Sequence, residues 1–435
     1  MLVIVTTLIW WWPFASSGRA VSLGLLTGTI AVVLMAWSFV LAVRWRWLEP
    51  LFGGLDRMYA VHRWAGVLSI VAMFLHVRVL DSEIDGGFNG LLAQFADSAT
   101  GLASVAEVAF YVLVAMSVLR WVPYRWWRLS HKLLGVPFAF AAFHTVTADK
   151  PFGPTSAWSV ALAAICVAGV VSWVWRVVGR DAMFPGLAYR IHRATLHQQT
   201  LDLELSPVGR SLQHVAGQFA VVKLQVPGLR EPHPFTVTSA PDEKHLRFFV
   251  RDLGDWTAAI QQRDLVGASV RVEGPYGRFA PLPEQGTAQR VVWVAGGVGV
   301  TPFLSAAPVL PAETPAQERP LLVYCVRTAH AATGIEVLRR AAAEGRVNLE
   351  VVASAEGRRL DAALFTELVG DDLSDAHVAV CGPAGLVTFV EVTAHQLGAR
   401  RVESEDFDIR SGLGPDLSRP LAAWIDALRE RRRLR

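Results

Sequence analysis

The chain has 435 residues, of which 52% are apolar, and its formal net charge is +3. That length allows two or three domains, and a mean hydropathy of +0.35 is too high for an ordinary soluble protein. The small net charge, and a second half without a basic stripe of interleaved aromatic residues, exclude a dedicated nucleic-acid binder. Because the apolar excess lies in the first 180 residues, we expect a membrane half followed by a soluble half.

Six apolar runs predict a six-helix transmembrane bundle over residues 1–180. The runs cover residues 1–12 and about 20–43, 57–80, 102–122, 127–147 and 157–178. The first run is shorter than the ~20 residues that a spanning helix needs. Either its helix tilts into Pro13 and Phe14, or the true chain begins further upstream. In both cases Trp10–Trp12 would lie in an interfacial aromatic belt.

Charged residues alternate between the predicted connections and thereby set an orientation. One set of connections is flanked by the basic residues Arg44, Arg46, Arg57, Arg120, Arg125, Arg128, Lys132, Arg176 and Arg180. The alternate set carries the acidic residues Asp81, Glu83, Asp85, Asp97 and Asp149. Because basic connections tend to face the cytoplasm, we predict a multi-pass protein of the inner (plasma) membrane. Its soluble half would then be cytoplasmic.

The first 180 residues contain four histidines, and these form two pairs within two of the apolar runs. His76 follows His62 at position i+14, and His144 follows His131 at position i+13. At ~1.5 Å per residue these gaps span ~21 Å and ~19.5 Å. Two such helices side by side would bring two imidazoles together at each of two depths, and facing neutral imidazoles are axial ligands for haem iron. The alternative is that these histidines are satisfied core residues or proton relays, but polar residues at membrane depth tend to be functional.

The orientation predicts which histidines share a haem. Both helices run from the inner to the outer side, so His62 pairs with His131 at the inner haem and His76 with His144 at the outer one. At ~100° per residue, His62 and His76 lie roughly on one face of their helix. His131 and His144 differ by about 140° around theirs. Gly135 and Pro137 lie between them, and since proline kinks or re-phases a helix we expect a distortion there.

Three basic residues beside these histidines are candidates to neutralise haem propionates. Arg63 and Lys132 lie beside the inner ligands, and Arg78 lies beside an outer ligand. Snorkelling of these side chains to the interface explains them equally well. Phe138 is a candidate bridge between the two rings, although an apolar helix contains many phenylalanines.

Residues 183–287 are predicted to form an antiparallel β-barrel, because short alternating strands with Gly and Pro punctuation run from Tyr189 to Phe279. The segment His233–Pro241 can offer hydroxyl and backbone N–H groups to a flat polar ring. The hydroxyl of Ser239 is one of them. The segment Leu253–Thr257 places glycine and threonine before a helix that we expect to begin near Ala258. Such a helix start is an anion site made of N–H groups.

Residues 288–410 are predicted to form a parallel α/β sheet, because strands and helices alternate along them. A strand from Arg290 to Ala295 is followed by the glycine turn Gly296–Pro302, a phosphate cradle with Thr301 as N-cap and proline at N1. The next strand ends at Arg327 and not at an acid, which favours the extra phosphate of NADPH, with NADH possible. A later strand ends in Cys381–Pro383 at the carboxyl edge, where ligands bind.

The histidine pairs and the segments HPFTVTS, GDWT, EGPYG, GGVGVTPF and CGP, in this order, resemble the NADPH oxidase and ferric reductase superfamily. That family also has the unequal 14 and 13 histidine spacings. The resemblance implies FAD contacts at His233, Pro234, Phe235, Thr236, Gly254, Trp256 and Thr257. It implies pyrophosphate contacts at Gly296, Gly297, Gly299 and Thr301, with Cys381, Gly382 and Pro383 at the nicotinamide.

The family typically ends in an aromatic residue that covers the flavin, and the segment from Glu405 to Phe407 resembles that ending. Phe407 is therefore the candidate gate, and Glu405 and Cys381 are further catalytic candidates. The chain departs from the family by continuing beyond Phe407 as far as Arg435. Its basic tail, 411–435, would lie on anionic lipid or be a solvated helix.

The predicted function is electron transfer from NADPH through FAD and two b-type haems to an acceptor outside, with oxygen giving superoxide. A ferric-chelate reductase uses the same path with another acceptor. A haem relay subunit for a periplasmic partner and a membrane-anchored flavin reductase without haems are further alternatives. No obligate protein partner is evident from the sequence.

Overall fold

The chain divides into two compact units, Met1–Phe184 and Pro185–Ile409, and each is described by itself. The computed structural model describes residues 1–15, 22–45, 47–81, 98–118, 124–148, 152–179, 186–277 and 290–406, with the single residues Val122, Phe279 and Leu282. The predicted gate Phe407 and the tail 411–435 lie outside the described residues.

The described part of the first unit is mainly helical. Its α-helices are α1 (Leu2–Leu8), α2 (Trp11–Ala15), α3 (Ser22–Ala42), α4 (Glu49–Phe52), α5 (Leu55–Asp81), α6 (Ser98–Val118), α7 (Tyr124–Leu133), α8 (Gly135–Thr147) and α9 (Ala157–Val174). All six apolar runs therefore contain helix. The described residues show three stretches that are long and apolar enough to span a membrane, where six were expected: Leu23–Ala42, Arg57–Val79 and Ala157–Gly179.

Three local features explain the difference. The apolar part of α6, in the fourth run, covers only Ser104–Ser117. The first run forms two short helices, α1 and α2, and the fifth run is divided into α7 and α8 at Leu134. The division confirms the expected distortion between His131 and His144. Proline has no N–H, so Pro137 leaves the carbonyl of the residue four positions earlier without its helical donor. At the break itself, the Leu134 N–H bonds the carbonyl of His131, three residues earlier, at 3.4 Å.

Helix α3 is the element on which the first unit is assembled, because it packs against α5, α8 and α9. Phe138 of α8 is fully buried, and its ring centroid lies 5.0 Å from that of Phe39 in α3. Gly169 of α9 makes room for it, since a Cβ there would come within 2.6 Å of the Phe138 ring. Helix α5 exposes apolar side chains such as Leu68 and Val71, which suits contact with lipid.

The second unit begins with a six-stranded antiparallel sheet in the order β4-β3-β6-β1-β2-β5. Its strands are β1 (Leu187–His197), β2 (Thr200–Pro207), β3 (Phe219–Leu224), β4 (Pro232–Thr236), β5 (Leu246–Arg251) and β6 (Ser269–Tyr276). The edge strands β4 and β5 approach each other, so the sheet curves into a half-barrel. Helix α10 (Asp255–Gln261) follows β5 and contributes Ile260 to the barrel core.

A five-stranded parallel sheet in the order β11-β10-β7-β8-β9 completes the second unit and confirms the predicted α/β class. Its strands are β7 (Arg290–Gly296), β8 (Leu321–Val326), β9 (Asn348–Ala353), β10 (Ala376–Gly382) and β11 (Arg401–Asp406). The helices are α11 (Thr301–Ala306), α12 (Ile335–Ala343), α13 (Ala362–Val369) and α14 (Ala384–Gln396). The chain reverses its strand order between β7 and β10, and ligands of open α/β sheets bind at the carboxyl ends of the strands at such a point.

Candidate functional site

The structure brings His62 of α5 and His131 of α7 together. Their ring centroids lie 6.1 Å apart with an interplanar angle of 71°. His62 Nδ1 lies 2.9 Å from the carbonyl oxygen of Ser38, and His131 Nδ1 lies 3.4 Å from Ser117 Oγ. Trp127 stacks on the His131 ring at 5.2 Å. This is the juxtaposition that the orientation argument predicts for the inner pair.

The other two histidines lie on the same two stretches of the bundle, nearer their C-terminal ends. His76 Nδ1 lies 2.6 Å from the carbonyl oxygen of Gly24 in α3. His144 is half-buried near the end of α8. Both α5 histidines thus turn Nδ1 toward α3.

The α5 histidines fit axial ligation of haem iron. A metal-bound histidine almost always donates its other ring N–H to a carbonyl or carboxylate, which fixes the tautomer. His62 and His76 show that arrangement, and it leaves Nε2 as the nitrogen for a metal. Among the described residues, no group of three or more His, Cys, Asp or Glu side chains could hold a bare metal ion. Paired histidines suit a porphyrin-held iron, which needs two further ligands.

The basic and aromatic residues proposed around the haems have mixed surroundings. Arg63 is half-buried, and its Nε is buried without a hydrogen-bond partner among the described residues. The Arg78 guanidinium lies 5.2 Å from the centroid of the Phe74 ring. Phe138 is held in the helix core by α3 and α9, so packing alone accounts for its burial. A role for Phe138 between the haems stays a prediction.

Three aromatic rings predicted to contact FAD form a stack on β4 and α10. The ring centroids of His233 and Trp256 are 4.0 Å apart, and those of Phe235 and Trp256 are 6.1 Å apart. Trp256 Nε1 donates to the carbonyl of Leu229 at 3.2 Å, which fixes the indole. Thr236, at the end of β4, is buried, and its Oγ1 has no hydrogen-bond partner in the described part of the chain. A buried hydroxyl at the end of the strand that carries His233 and Phe235 fits a flat ligand with polar edges.

The Thr257 hydroxyl caps the backbone directly before α10. Its Oγ1 accepts hydrogen bonds from the N–H groups of Leu253 and Gly254, each at 2.9 Å. The expectation that this helix begins near Ala258 is wrong, because the cap allows it to begin at Asp255. The FAD contacts predicted for Gly254 and Thr257 therefore stay predictions, and the threonine hydroxyl is already engaged.

Ser239 ties the half-barrel to the α/β sheet. Its carbonyl oxygen accepts hydrogen bonds from Ser305 Oγ of α11 at 2.7 Å and from His214 Nε2 at 3.2 Å. Its hydroxyl accepts from the N–H of Arg247 at 3.2 Å. The hydroxyl can still donate its own proton, so its predicted contact with a flat ring stays a prediction.

The glycine turn after β7 lies directly against the end of β10. A Cβ on Gly299 would come within 2.3 Å of the Cys381 carbonyl oxygen, so only glycine allows this approach. Gly297 has a φ of +56°, and Tyr324 Oη lies 3.2 Å from its carbonyl oxygen. The N-cap prediction for Thr301 is wrong. Gly297–Val300 forms a 3-10 turn, so helical geometry begins earlier and Thr301 is the first residue of α11.

A cavity of about 780 Å³ opens at the carboxyl ends of β7, β8, β9 and β10. The predicted residues that line it are Gly296, Gly297, Gly299, Arg327, Gly382 and Pro383. Its walls also hold three arginines that the sequence patterns did not single out, Arg251, Arg358 and Arg359. Arg251 ends β5 of the half-barrel and the other two follow β9. The adjacent arginines at 358 and 359, within the alternating strands and helices of 288–410, are the sequence signal that could have indicated the last two.

The two cysteines of this region have different surroundings. Cys325, at the end of β8, lines the cavity, and burial raises the pKa of its thiol to about 12. That thiol is therefore protonated at neutral pH. Cys381 is fully buried in the core of the sheet, directly opposite Glu405 in the pairing of β10 and β11. Two of the catalytic candidates are thus neighbours at the carboxyl edge.

Three protein families match the chain in sequence order. They are described as ferric reductase like transmembrane component (residues 27–142), FAD-binding domain (residues 189–280) and oxidoreductase NAD-binding domain (residues 293–392). The chain therefore combines a ferric-reductase-like transmembrane component with FAD- and NAD-binding domains, and it has NADPH oxidase homologues. His62, His76 and His131 lie within the first matched region, and His144 lies two residues beyond its end. The aromatic stack lies within the second region. The cavity is lined mainly by residues of the third region, with Arg251 and Leu253 from the second.

Relatives of the chain include the electron transfer component of a dioxygenase and NADPH oxidases. It is 25% identical over 237 residues to the 2-halobenzoate 1,2-dioxygenase electron transfer component of Burkholderia cepacia, covering 52% of this chain and 67% of that protein. It is 32% identical over 120 residues to NADPH oxidase 1 of Mus musculus, covering 26% and 20%. It is 24% identical over 218 residues to a superoxide-generating NADPH oxidase heavy chain of Dictyostelium discoideum, covering 46% and 40%. The matched stretches span less than half of either oxidase.

We expect Gly299→Ala to weaken NADPH binding in the cavity without unfolding the second unit. The new methyl would meet backbone, which cannot move aside as a side-chain end can, so the glycine turn must shift away from β10. The expected result is a KM for NADPH raised by tenfold or more, about 1.4 kcal/mol, with far-ultraviolet circular dichroism unchanged.

Gly153→Ala is the control, because a Cβ there meets nothing within 4 Å and the residue does not line the cavity. It should change the KM far less. Equal effects of the two substitutions would contradict the assignment of the glycine turn to the nucleotide.

Proposed function

We propose that this protein transfers electrons from cytosolic NADPH, through FAD and two b-type haems, to an acceptor on the other side of the membrane. The proposed acceptor is oxygen, which gives superoxide. The observation that carries the proposal is the facing pair His62 and His131 on two different helices of the ferric-reductase-like component. The same chain also contains an arginine-lined cavity at the switch point of an NAD-binding sheet.

The cofactors supply the redox chemistry, and the chain supplies binding, spacing and orientation. His62, His76, His131 and His144 would hold the haem irons. His233, Phe235, Thr236 and Trp256 would hold the flavin by stacking and by the buried hydroxyl. The glycine turn and the cavity arginines would hold the phosphates of NADPH, whose charge they complement.

The helix arrangement supports the inward orientation of the soluble half. The contacts of Ser38 with His62 and of Gly24 with His76 make α3 and α5 antiparallel. The basic end of α3 at Arg44 therefore lies at the same end of the bundle as the start of α5. His131 lies beside His62 at this end, and basic residues gather on the cytoplasmic side of membrane proteins.

The proposed acceptor follows from the ligand set and from the relatives. If two histidines hold each haem iron, the haem would supply an electron to a small acceptor without binding it, in an outer-sphere step. Oxygen needs no binding site for such a step, and one relative is named as superoxide-generating. The ferric-chelate reductase is the second candidate, because the matched transmembrane family is described as ferric reductase like. The acidic loop residues Glu83 and Asp85 that would attract ferric species lie outside the described residues.

Removing a histidine from either helix should remove haem and stop electron transfer across the membrane. We expect His76→Ala and His131→Ala each to lower the haem-to-protein ratio and to reduce acceptor reduction by at least about tenfold, while NADPH still reduces the flavin. The measurements are the pyridine haemochrome ratio and stopped-flow flavin bleaching in detergent.

His197→Ala, on an exposed position at the end of β1, is the control and should retain both haems. The two-haem assignment is wrong should both membrane variants, still folded, keep the full haem complement and an undiminished electron flux. A wild-type protein without haem would instead support a membrane-anchored flavin reductase.

The acceptor is distinguished by a competition on the purified protein. Superoxide-dismutase-sensitive reduction of cytochrome c is compared with formation of a ferrous chelate at equal NADPH. We expect the dismutase-sensitive signal to account for most of the NADPH consumed in air. A strong preference for the ferric chelate, with oxygen uptake at background, would establish the reductase instead. Absence of NADPH-driven flavin reduction would favour a haem relay subunit for a periplasmic partner.

The cavity arginines should select NADPH over NADH. A charge-assisted hydrogen bond contributes about 1.5–3 kcal/mol, which is roughly a 10–150-fold change in binding. We therefore expect Arg327→Ala to raise the KM for NADPH at least about tenfold and to leave the KM for NADH nearly unchanged. Arg339→Ala is the control, because that exposed arginine of α12 pairs with Glu336 away from the cavity. Equal changes for both nucleotides would contradict the assignment.

A further inference from the structure

Helix α3 carries none of the four histidines, yet its backbone touches both histidines of α5. His62 Nδ1 lies 2.9 Å from Ser38 O, and His76 Nδ1 lies 2.6 Å from Gly24 O. Gly24 and Ser38 are separated along α3 by the same number of positions as His62 and His76 along α5. Two antiparallel helices with matching spacings therefore make the same contact at two depths.

A carbonyl oxygen can only accept, so each contact requires a proton on Nδ1. The neutral imidazole then has its bare lone pair on Nε2, the tautomer that binds a metal through Nε2. A carbonyl oxygen has two lone pairs, so it can accept this bond and still accept a helical N–H. Helix α3 thus selects the tautomer and turns Nε2 of both histidines away from itself.

The approach of His76 to α3 depends on a glycine. A Cβ on Gly28 would lie 2.6 Å from His76 Nδ1, 2.7 Å from Cε1 and 3.1 Å from Cγ. Within a helix glycine is about 1 kcal/mol less favourable than alanine, so this glycine weakens α3 locally. The space that it leaves is filled by the imidazole.

The approach of His62 is fixed by a reciprocal pair of bonds. Ser38 O accepts from His62 Nδ1, and Ser38 Oγ donates to the backbone carbonyl of His62 at 3.0 Å. The two bonds join one residue of α3 to one residue of α5 through both side chain and backbone. They hold the α5 backbone and the imidazole in one register.

We propose that Gly28 and Ser38 are positioning residues for the haem ligands, Gly28 for His76 and Ser38 for His62. Through the imidazole orientation and its Nδ1 hydrogen bond they set the haem affinity and reduction potential of the two sites separately. This inference rests on the proposed function, because it requires haem on these histidines. Outer partners of metal-bound histidines alter ligand basicity, and their loss costs roughly 10–100-fold in metal affinity.

The test compares Gly28→Ala with Ser38→Ala in the full chain purified with its haems. Gly28→Ala should lose about half of the haem and remove one component of the redox titration. Ser38→Ala keeps its backbone carbonyl, so it should retain both haems and shift only the other component. Each variant is thus the control for the other site. Thr29→Ala is the control for α3 itself and should change neither component, because within the described part of the chain that hydroxyl bonds Leu25 O of its own helix.

A measurement on the wild-type protein keeps the inference testable if Gly28→Ala fails to fold. Pulsed electron paramagnetic resonance of the ferric haems reports the remote ligand nitrogen, and we expect the signature of a strongly hydrogen-bonded Nδ1–H for one ligand of each haem. A weakly bonded remote nitrogen overturns the inference, as does a Gly28→Ala protein with both haems and an unchanged titration. A wild-type protein without haem overturns this inference and the proposed function together. Two haems in the wild type with unaffected variants overturn this inference alone.

Discussion

A polar group at membrane depth has to find its partner within the protein, because the bilayer core contains no water to hydrogen-bond it. His62 and His76 satisfy this constraint on the carbonyl oxygens of Ser38 and Gly24. The same two bonds determine which ring nitrogen faces away from α3. One requirement of folding in lipid therefore also prepares the side chains for their proposed chemistry, and it places α3 at the centre of the first unit.

A comparable constraint organises the second unit, although it is steric. The turn containing Gly299 approaches the end of β10 so closely that no side chain fits between them. This approach forms the floor of the cavity at the switch point of the sheet. The half-barrel completes the wall by contributing Arg251, and the bond from Ser305 to Ser239 holds the two sheets together. Residues from both sheets therefore line the cavity.

The sequence-based expectations that proved wrong share one cause. Thr301 was expected as an N-cap and the helix after Trp256 was expected to begin near Ala258, but short turns and side-chain caps moved both boundaries. The contact predicted for the Ser239 hydroxyl stays a prediction, and the structure adds a role for its carbonyl oxygen as the link to α11. For the two helix starts the residue type was informative and the atom that acts was not, because local geometry decides which atom is accessible.

Patterns that depend on nearby residues were determined by the sequence: the membrane and soluble halves, the sheet classes, the glycine turn and the break near Pro137. Such features follow from hydropathy, periodicity and backbone restrictions, which act over a few residues. The tertiary structure decided the rest, namely that α3 holds the α5 histidines and that Arg358 and Arg359 share a cavity with Arg327. Those contacts join residues far apart in the chain, and the packing of helices and strands that brings them together is not encoded in any local pattern.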